Sequence, residues 1–399
     1  MYLTSFGSLW REGVKRKRFI DSNYISEEVW EDIEWDYINP DERSFLLTRI
    51  LIPVIEKAKK EDLYKEAYKD VDIESLKKYE RFEDILLHLP ILFKDNTSFG
   101  AKGLRHLVEK DPQIMKHGRK EQACEVFRSS GSKGIPTPTY ITTKDIRLES
   151  HALGFRCFVP GGFDDEDRLY STYNLAHKGG RLIQLAGRCI GMEVIARRPE
   201  DNLEEVIDMI SSYKVNALAA VQPPITDDDL SAKGGGVTFL SLYKENFELF
   251  GENGMIKKAF ITGFPIPESI VNLAKSINLK LFTTYGCTEF IPLATSTTEG
   301  DKCLYNDQHI LYGPHIIMVV KESNGKLERV AEGEKGMVLV TTIGITDGRT
   351  IYLNYALGDT AVLKWEAGKC SCGRTTPIIS DIKRTDHPGE MLGGGCRYV

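Results

Sequence analysis

The sequence predicts an α/β fold: a large domain with a helical entry region, mostly parallel sheets flanked by helices, and a small antiparallel β subdomain. Residues 1 to about 120 are charged and carry apolar residues at helical spacing. From about 125 to 290, short β-rich runs alternate with amphipathic segments, which is typical of a largely parallel sheet with crossover helices. Between 310 and 365 the β-rich runs are joined by Gly and Asn turns, which indicates antiparallel strands.

These patterns divide the 399-residue chain into four expected segments. They are a helical entry region at 1–120, an α/β core at 121–300, a β subdomain at 301–385 and a short tail at 386–399. A chain of this length exceeds the usual size of one domain, so two or three packed subdomains are expected. In the entry region, NPDERSFLLTRILIPVIEKAKK (39–60) has the apolar spacing of a helix.

The core and the β subdomain can be assigned run by run. The predicted core strands are RLYSTYNL (168–175), GMEVIAR (191–197), VNALAAV (215–221), IKKAFITG (256–263) and LKLFTTYG (279–286). The predicted helices among them are NLEEVIDMISSY (202–213) and ESIVNLAKSI (268–277). The predicted strands of the β subdomain are HIIMVVKE (315–322), KLERVAEG (326–333), KGMVLVTTI (335–343) and TAVLKWEAG (360–368).

Composition excludes several functional classes. A content of 41% hydrophobic and 28% charged residues is ordinary for a globular protein, and a net charge of −6 argues against a nucleic-acid binder with a broad basic surface. There is no run of 18 apolar residues that could span a membrane, and no apolar run follows the basic cluster at Lys15 to Arg18 as in a secretory signal. We therefore expect a cytoplasmic protein, and its eight cysteines do not resemble a secreted disulfide scaffold.

The segment VFRSSGSKGIPTPTYIT (126–142) contains a loop suited to phosphate. Small residues let backbone N–H groups approach phosphate oxygens, hydroxyls can donate to them, and a lysine can neutralise their charge. The residues of this loop are Ser129, Ser130, Gly131, Ser132, Lys133 and Gly134. Taken alone, the segment is equally well interpreted as a Gly/Ser turn between two elements.

Two distant segments favour the phosphate interpretation. TTYGCTEF (283–290) places a tyrosine, a threonine and a glutamate at a predicted strand end, where open α/β sheets bind ligands. YALGDTAVL (355–363) places Asp359 after Gly358 in a predicted turn, where its carboxylate could accept hydrogen bonds from ribose hydroxyls.

The order SSGSKGIPT, ITGFPIP, TTYGCTE, LGD and IKRTD resembles the adenylate-forming (acyl-CoA synthetase) superfamily, and specifically its phenylacetate–CoA ligase branch. LHLPILFKDN (87–96) also resembles the entry segment of that branch. The resemblance implies a ligase that uses ATP and Mg²⁺ to convert a small carboxylic acid to an acyl-adenylate with release of pyrophosphate. Acyl transfer to a thiol or amine would follow, the acceptor being CoA or an acyl-acceptor protein.

The resemblance also implies individual roles. The residues that would bind ATP are Ser129 to Gly134 at the β- and γ-phosphates, Gly263, Phe264 and Gly286 around the adenine, Tyr285 stacked on the base, Asp359 at the ribose, and Arg384 near the ribose or phosphates before a hinge-like Asp386. Thr288 would contact the α-phosphate or the substrate carboxylate, Glu289 would help to hold Mg²⁺, and Lys133 completes the implied catalytic set. Lys133 stands where the family usually has a hydroxyl, and Ile135 where a lysine is common, so Lys133 would substitute in part.

Two pairs of residues indicate a metal site. Cys303 and His309 lie close in sequence, as do Cys370 and Cys372, and three thiolates with one imidazole suit a closed, tetrahedral, structural Zn²⁺ site. The alternative is four scattered residues, because cysteine is often simply buried. Some members of the resembled branch carry a Cys/His zinc site in this region.

The segment TYNLAHKGGRLIQLAG (172–187) lies where ligases of this branch line their acid pocket. It offers Tyr173, Asn174, His177, Lys178 and Arg181. One hypothesis is a polar or anionic acid with His177 or Lys178 reading a second polar group. The other is that these side chains form a solvated face.

The chain stops at Val399, about where the small C-terminal lid domain of the resembled family should begin. We therefore expect the lid to be missing, truncated or supplied by another chain, which leaves the acceptor open. Cys396 in the tail and Cys287 beside the site are candidate acyl acceptors if the chain acts as an acyl-protein synthetase. The alternative from another class is a catalytically retired adenylate-binding or partner-binding protein, and the oligomeric state is open, a homodimer included.

Overall fold

The computed structural model describes residues 33–97, 102–118, 121–122, 124–129, 135–198, 200–221, 237–344, 347–365, 368 and 370–385. Residues of the candidate site and tail that lie outside these ranges are Ser130, Gly131, Ser132, Lys133, Gly134, Asp386 and Cys396. The boundaries expected at 120, 300 and 385 stay a prediction.

The helices of the described chain cover the entry region and both faces of a large sheet. They are α1 (Pro40–Ala58), α2 (Ile73–Leu76), α3 (Phe82–Leu87), α4 (Leu104–Lys110), α5 (Thr143–Leu153), α6 (Lys178–Cys189), α7 (Leu203–Ser212), α8 (Phe239–Glu245) and α9 (Glu268–Ser276). None of the helices in these ranges is long and apolar enough to cross a membrane.

Most strands join one mixed sheet. The strands are β1 (Leu92–Phe93), β2 (Glu125–Arg128), β3 (Pro138–Ile141), β4 (Arg168–Ser171), β5 (Glu193–Ala196), β6 (Ala217–Val221), β7 (Lys258–Thr262), β8 (Lys280–Tyr285), β9 (Ala294–Thr295), β10 (Gln308–Ile310), β11 (His315–Ser323), β12 (Lys326–Arg329), β13 (Lys335–Thr342), β14 (Tyr355–Trp365) and β15 (Ile378–Arg384). The order across the sheet is β12-β11-β13-β14-β15-β10-β9-β8-β7-β6-β4-β5, with β1 beside β14. The strands β2 and β3 form a separate antiparallel hairpin.

In the parallel part, successive buried side chains pack on opposite faces of the sheet. β5, β4, β6, β7 and β8 pair in parallel, and crossover segments containing α6, α7, α8 and α9 connect them. Leu169 packs with the apolar cluster under α5 and α6, whereas the next residue, Tyr170, packs with the cluster under α7 and α9. This period of two buries both faces of the sheet, and it confirms the predicted α/β class.

The antiparallel part is larger than the sequence predicted. From β8 through β12 every pairing along the sheet is antiparallel, so antiparallel pairings outnumber parallel ones, and this region continues the same sheet. The long strands β11, β13 and β14 are almost wholly buried, because α1 and its neighbours pack on them in one apolar cluster. Short sequence runs indicate strands, but they do not show whether two groups of strands share a ladder.

Helix α1 confirms the helix expected near residue 40. Asn39 caps it, because its side-chain oxygen accepts hydrogen bonds from the N–H groups of Asp41 and Glu42, and Pro40 occupies the first helical position. The buried face includes Leu47, Leu51, Val54 and Ile55. The entry region therefore covers one face of the antiparallel strands.

The beginning of α6 depends on a close approach of two backbone segments. A Cβ at Gly180 would lie 2.2 Å from the carbonyl oxygen of Asn174, whereas a Cβ at Gly179 would meet only Ile291 Cδ1 at 4.0 Å. Of these two adjacent helical glycines, only Gly180 is therefore required by packing.

We expect Gly180→Ala to lower the free energy of unfolding by about 1–3 kcal/mol, because the new methyl group overlaps the Asn174 carbonyl. Gly179→Ala should raise it by about 0.5–1 kcal/mol, since alanine is the better helix former and the space is open. Urea denaturation of both variants measures this contrast. Equal effects at the two positions would contradict the packing explanation.

Candidate functional site

The candidate site lies at the carboxyl ends of the parallel strands. Tyr173 follows β4, and its hydroxyl oxygen is 3.0 Å from the carbonyl oxygen of Ala220 and 3.3 Å from that of Thr262, at the ends of β6 and β7. Gly263, with a φ of 116°, turns the chain after β7 in a conformation that favours glycine. The next side chain, Phe264, is 47% exposed, so an aromatic face is available at this edge.

Tyr285, Asp359 and Arg384 meet in one cluster, although 99 residues separate the first from the last in sequence. The Tyr285 hydroxyl donates to Asp359 Oδ2 at 2.7 Å, and Arg384 Nη1 donates to Asp359 Oδ1 at 3.0 Å. Gly358, with a φ of 85°, lies against the Arg384 guanidinium. The burial of Tyr285 and its carboxylate neighbour raise the pKa of that phenol, so it stays a donor.

This cluster requires the sheet to bend. β8 and β14 are four strands apart in the sheet order, which would be about 19 Å in a flat sheet. The 2.7 Å contact between Tyr285 and Asp359 spans that separation, so the short strands β9 and β10 turn the antiparallel part back toward the parallel edge. The site lies inside this bend.

Glu289 occupies the centre of the site. The main-chain groups of Cys287 and Phe290 form a tight turn around it, with hydrogen bonds of 2.7 and 3.1 Å. Glu289 Oε1 is 2.8 Å from Lys94 Nζ, 3.3 Å from Thr137 Oγ1 and 3.4 Å from the Tyr355 hydroxyl oxygen. The carboxylate is buried, and one of its oxygens is shared by three donors from three segments.

The charge of Glu289 is maintained by its partners. Burial acts to raise the pKa of this carboxyl, but the Lys94 ammonium and its hydrogen bond outweigh burial and lower the pKa below its ordinary value. By contrast, burial and the nearby Glu289 raise the pKa of the Cys287 thiol. Cys287 is therefore a thiol at neutral pH, which is unfavourable for a nucleophile.

The residues that flank the predicted phosphate loop, Ser129 and Thr137, bond to each other beside this site. Ser129 N–H donates to the Thr137 carbonyl oxygen at 3.1 Å, and Thr137 N–H donates to Ser129 Oγ at 2.9 Å. Thr137 also contacts Glu289, so the stem of the loop is bonded to the central carboxylate. Thr288 is half-buried beside it, and Gly286 is confined because a Cβ there would lie 2.9 Å from the Phe290 carbonyl oxygen.

The four residues predicted to bind the acid have different surroundings. Asn174 and His177 are exposed, and Tyr173 is half-buried at the strand ends. Lys178 is only 1% exposed, and its Nζ is 2.7 Å from Glu149 Oε2 and 3.1 Å from the Glu289 carbonyl oxygen. Its charge is therefore used to hold the main chain of Glu289. Arg181 pairs with Glu125 at 3.1 Å.

A buried charge network lies behind the site. Glu149 Oε1 is 3.3 Å from His315 Nε2, and Arg349 Nη1 donates to Asp145 Oδ1 at 2.8 Å. Burial lowers the pKa of His315 to about 4, although Glu149 acts in the opposite direction. The imidazole is thus neutral at physiological pH.

The four predicted metal ligands converge. One ligand atom from each of Cys303, His309, Cys370 and Cys372 lies within 4.8 Å of every other, and the Sγ atoms of Cys303 and Cys370 are 3.5 Å apart. His309 Nδ1 lies 2.8 Å from the Thr376 carbonyl oxygen, and its Nε2 lies 3.4 Å from Cys372 Sγ. A hydrogen bond from Cys303 lowers the pKa of Cys372.

Sequence reasoning missed four polar residues of this region: Lys94, Thr137, Glu149 and Tyr355. Lys94 was within a recognised segment, LHLPILFKDN, but no role was assigned to it. Its partner, Glu289, is 195 residues away. A sequence pattern does not show such pairings, whereas a lone lysine directly after an apolar run was a usable signal for a buried charge.

The family model described as AMP-binding enzyme matches residues 46–348. No curated protein matches the chain significantly by sequence. Among solved structures, 2-hydroxyisobutyryl-CoA ligase in the postadenylation state with 2-HIB-AMP is 16% identical, with a TM-score of 0.70, over 92% of this chain and 73% of that chain. Its open conformation with 2-HIB-AMP and CoA is 15% identical, with a TM-score of 0.69, over 92% and 75%. At these identities the likeness shows a shared fold.

We expect His315→Gln to reduce the acid sensitivity of the fold. The folded-state pKa of about 4 lies below the ordinary 6.5, so between these two pH values the folded protein binds fewer protons than the unfolded one. The free energy of unfolding of the wild type therefore falls as the pH falls. Between about pH 7.5 and pH 5 the variant should lose on the order of 2 kcal/mol less of this free energy than the wild type. Urea denaturation at the two pH values measures this, and an unchanged difference would contradict the assignment.

Proposed function

Because the chain belongs to the AMP-binding enzyme family, we propose that it activates a carboxylic acid with ATP, forming an acyl-adenylate and pyrophosphate. The observation that carries this proposal is the convergence of Tyr285 with Asp359 and Arg384, with Glu289 on the turn that follows Tyr285. These residues come from separate motifs, and together they offer an aromatic ring, carboxylates and a guanidinium at one edge of the sheet. That combination suits a nucleotide.

The proposed roles follow the surroundings of each group. Asp359 is fixed by Tyr285 and Arg384, and its carboxylate would accept hydrogen bonds from the ribose hydroxyls. The exposed ring of Phe264 provides a flat apolar surface for the adenine. Ser129 and the loop after it would contact the phosphates, and Thr288 would contact the α-phosphate or the substrate carboxylate. Positioning and charge stabilisation account for most of the catalysis in such reactions.

Magnesium is the metal that ATP would bring to this site. Oxygen atoms of the Glu289 carboxylate and the Thr288 hydroxyl are the ligand type that this hard cation prefers, so the residues fit it. Glu289 would hold the ion, which when bound spreads the negative charge of the phosphates. Lys94 keeps Glu289 ionised for that task.

The substrate class and the acceptor are finer proposals. Asn174 and His177 are exposed next to Tyr173, which supports a small acid with a second polar group read by one of them. A solved neighbour is a CoA ligase with an acyl-adenylate and CoA, which supports transfer to CoA. The segment LHLPILFKDN and the Cys/His cluster support a place in the phenylacetate–CoA ligase branch.

The Cys/His cluster is proposed to hold a structural Zn²⁺. In a tetrahedral site with the usual Zn–S bonds, sulfur atoms lie about 3.8 Å apart, close to the 3.5 Å between Cys303 and Cys370. The Thr376 carbonyl oxygen accepts from His309 Nδ1–H and so directs Nε2 toward the thiols. Gly300 leaves the space that the ligands need, since a Cβ there would lie 2.1 Å from Cys303 Sγ.

The activity is tested by pyrophosphate exchange with ATP and Mg²⁺ across a panel of aryl, fatty, amino and dicarboxylic acids. We expect acid-dependent exchange that falls about 100-fold or more in Glu289→Gln, because the site loses a buried negative charge. Glu193→Gln, which alters an exposed carboxylate at the opposite edge of the sheet, should keep full exchange. His177→Ala should change the order of preferred acids.

The opposite result is also informative. ATP binding without exchange for any acid would contradict the proposed reaction and favour an adenylate-binding protein. An unchanged acid preference in His177→Ala would remove that residue from the substrate site and leave the reaction itself unaffected.

The zinc proposal predicts about one Zn²⁺ per chain in the purified protein. Cys303→Ser and Cys372→Ser should lose the metal and several degrees of melting temperature, because metal binding contributes to folding. Cys189→Ser, outside the cluster, should keep both. Mass spectrometry measures the zinc content, and thermal unfolding measures the melting temperature. Full zinc content in Cys303→Ser would contradict the zinc proposal.

A further inference from the structure

The backbone before Lys94 is fixed by strand pairing. In β1, Leu92 pairs with Tyr355 and Phe93 with Ala356 of β14. The Lys94 carbonyl oxygen accepts a hydrogen bond from Arg105 N–H at 3.1 Å. The main chain of Lys94 is therefore held on both sides, next to β14.

The Lys94 ammonium forms a buried ion pair with Glu289. Its Nζ is 2.8 Å from Oε1, and the two side chains are 8% and 2% exposed. Thr137 and Tyr355 donate to the same oxygen. Because a buried ion pair with additional hydrogen bonds is strongly destabilised when one charge is removed, this arrangement is the resting state of the site.

A metal ion bound by Glu289 would lie within a few ångströms of this ammonium. Repulsion between a dication and a monocation at that distance, in a partly buried site, lowers the affinity for the metal by far more than tenfold. Phosphate groups would offset this repulsion, since they bring several negative charges to the same place. The ammonium thus distinguishes a free cation from one that arrives on a nucleotide.

We propose that Lys94 is the resident counter-ion of Glu289, and that it excludes free divalent cations from the site until a nucleotide supplies compensating charge. The inference rests on the proposed function for the identity of the nucleotide. Lys94 is then a positioning residue: it keeps the buried carboxylate charged and oriented, and it makes ATP a condition for metal entry.

Mn²⁺ is a probe for this exclusion, because electron paramagnetic resonance measures its binding without any turnover. The experiment uses the purified, nucleotide-free protein. We expect wild type to bind Mn²⁺ weakly and Lys94→Met to bind it about tenfold or more tightly. The gained affinity should vanish in the double variant Lys94→Met/Glu289→Gln. Lys94→Arg keeps the positive charge and should bind Mn²⁺ as weakly as wild type.

Two further variants serve as a replacement and a control. Lys94→Gln replaces Lys94→Met if the latter does not fold, with the same expected gain. Lys65→Met, which removes a lysine from an exposed pair with Asp62, should gain no affinity. Equal Mn²⁺ affinity in wild type and Lys94→Met, or a gained site that survives Glu289→Gln, overturns the proposal. Because the measurement needs no acid and no turnover, a positive result with no pyrophosphate exchange would contradict the proposed function and leave this inference standing.

Discussion

The buried contact between Lys94 and Glu289 joins parts of the chain that are far apart in sequence. It links the segment after β1 to the turn after β8, and through Thr137 and Tyr355 it includes the stem of the predicted phosphate loop and β14. Two charges inside a protein are tolerated only when their geometry is satisfied. The pairing of β1 with β14 and the turn at 287–290 together set this geometry.

The bend of the sheet makes that convergence geometrically feasible. A flat sheet would keep β8 and β14 about 19 Å apart, but the short strands β9 and β10 bring Tyr285 to Asp359. Ligand chemistry at the carboxyl ends of parallel strands is common in α/β folds. Here the antiparallel strands supply the other half of the site, since Asp359 and Arg384 come from β14 and β15.

The sequence predicted the helices and strands that depend on local pattern, but it did not predict contacts between residues that are far apart in the chain. The strand at 215–221 was predicted from a β-rich run and the helix at 39–60 from the spacing of its apolar residues, and the structure confirms both elements. The spacing of apolar residues alone could not show that the antiparallel strands continue the parallel sheet. Nor could it show that Lys178, on a helix with a polar face, is buried against Glu149, because that partner lies on another helix.

The burial of Lys178 changes the charge available to a substrate. Its ammonium is used by Glu149 and by the carbonyl oxygen of Glu289, so this lysine supports the main chain of the residue whose side chain Lys94 holds. Arg181 is likewise paired, with Glu125. Asn174 and His177 are exposed, and the Arg181 side chain is 43% exposed in its pair with Glu125. Under the proposed function, the Lys178 ammonium would therefore not be available to bind a second polar group of the acid.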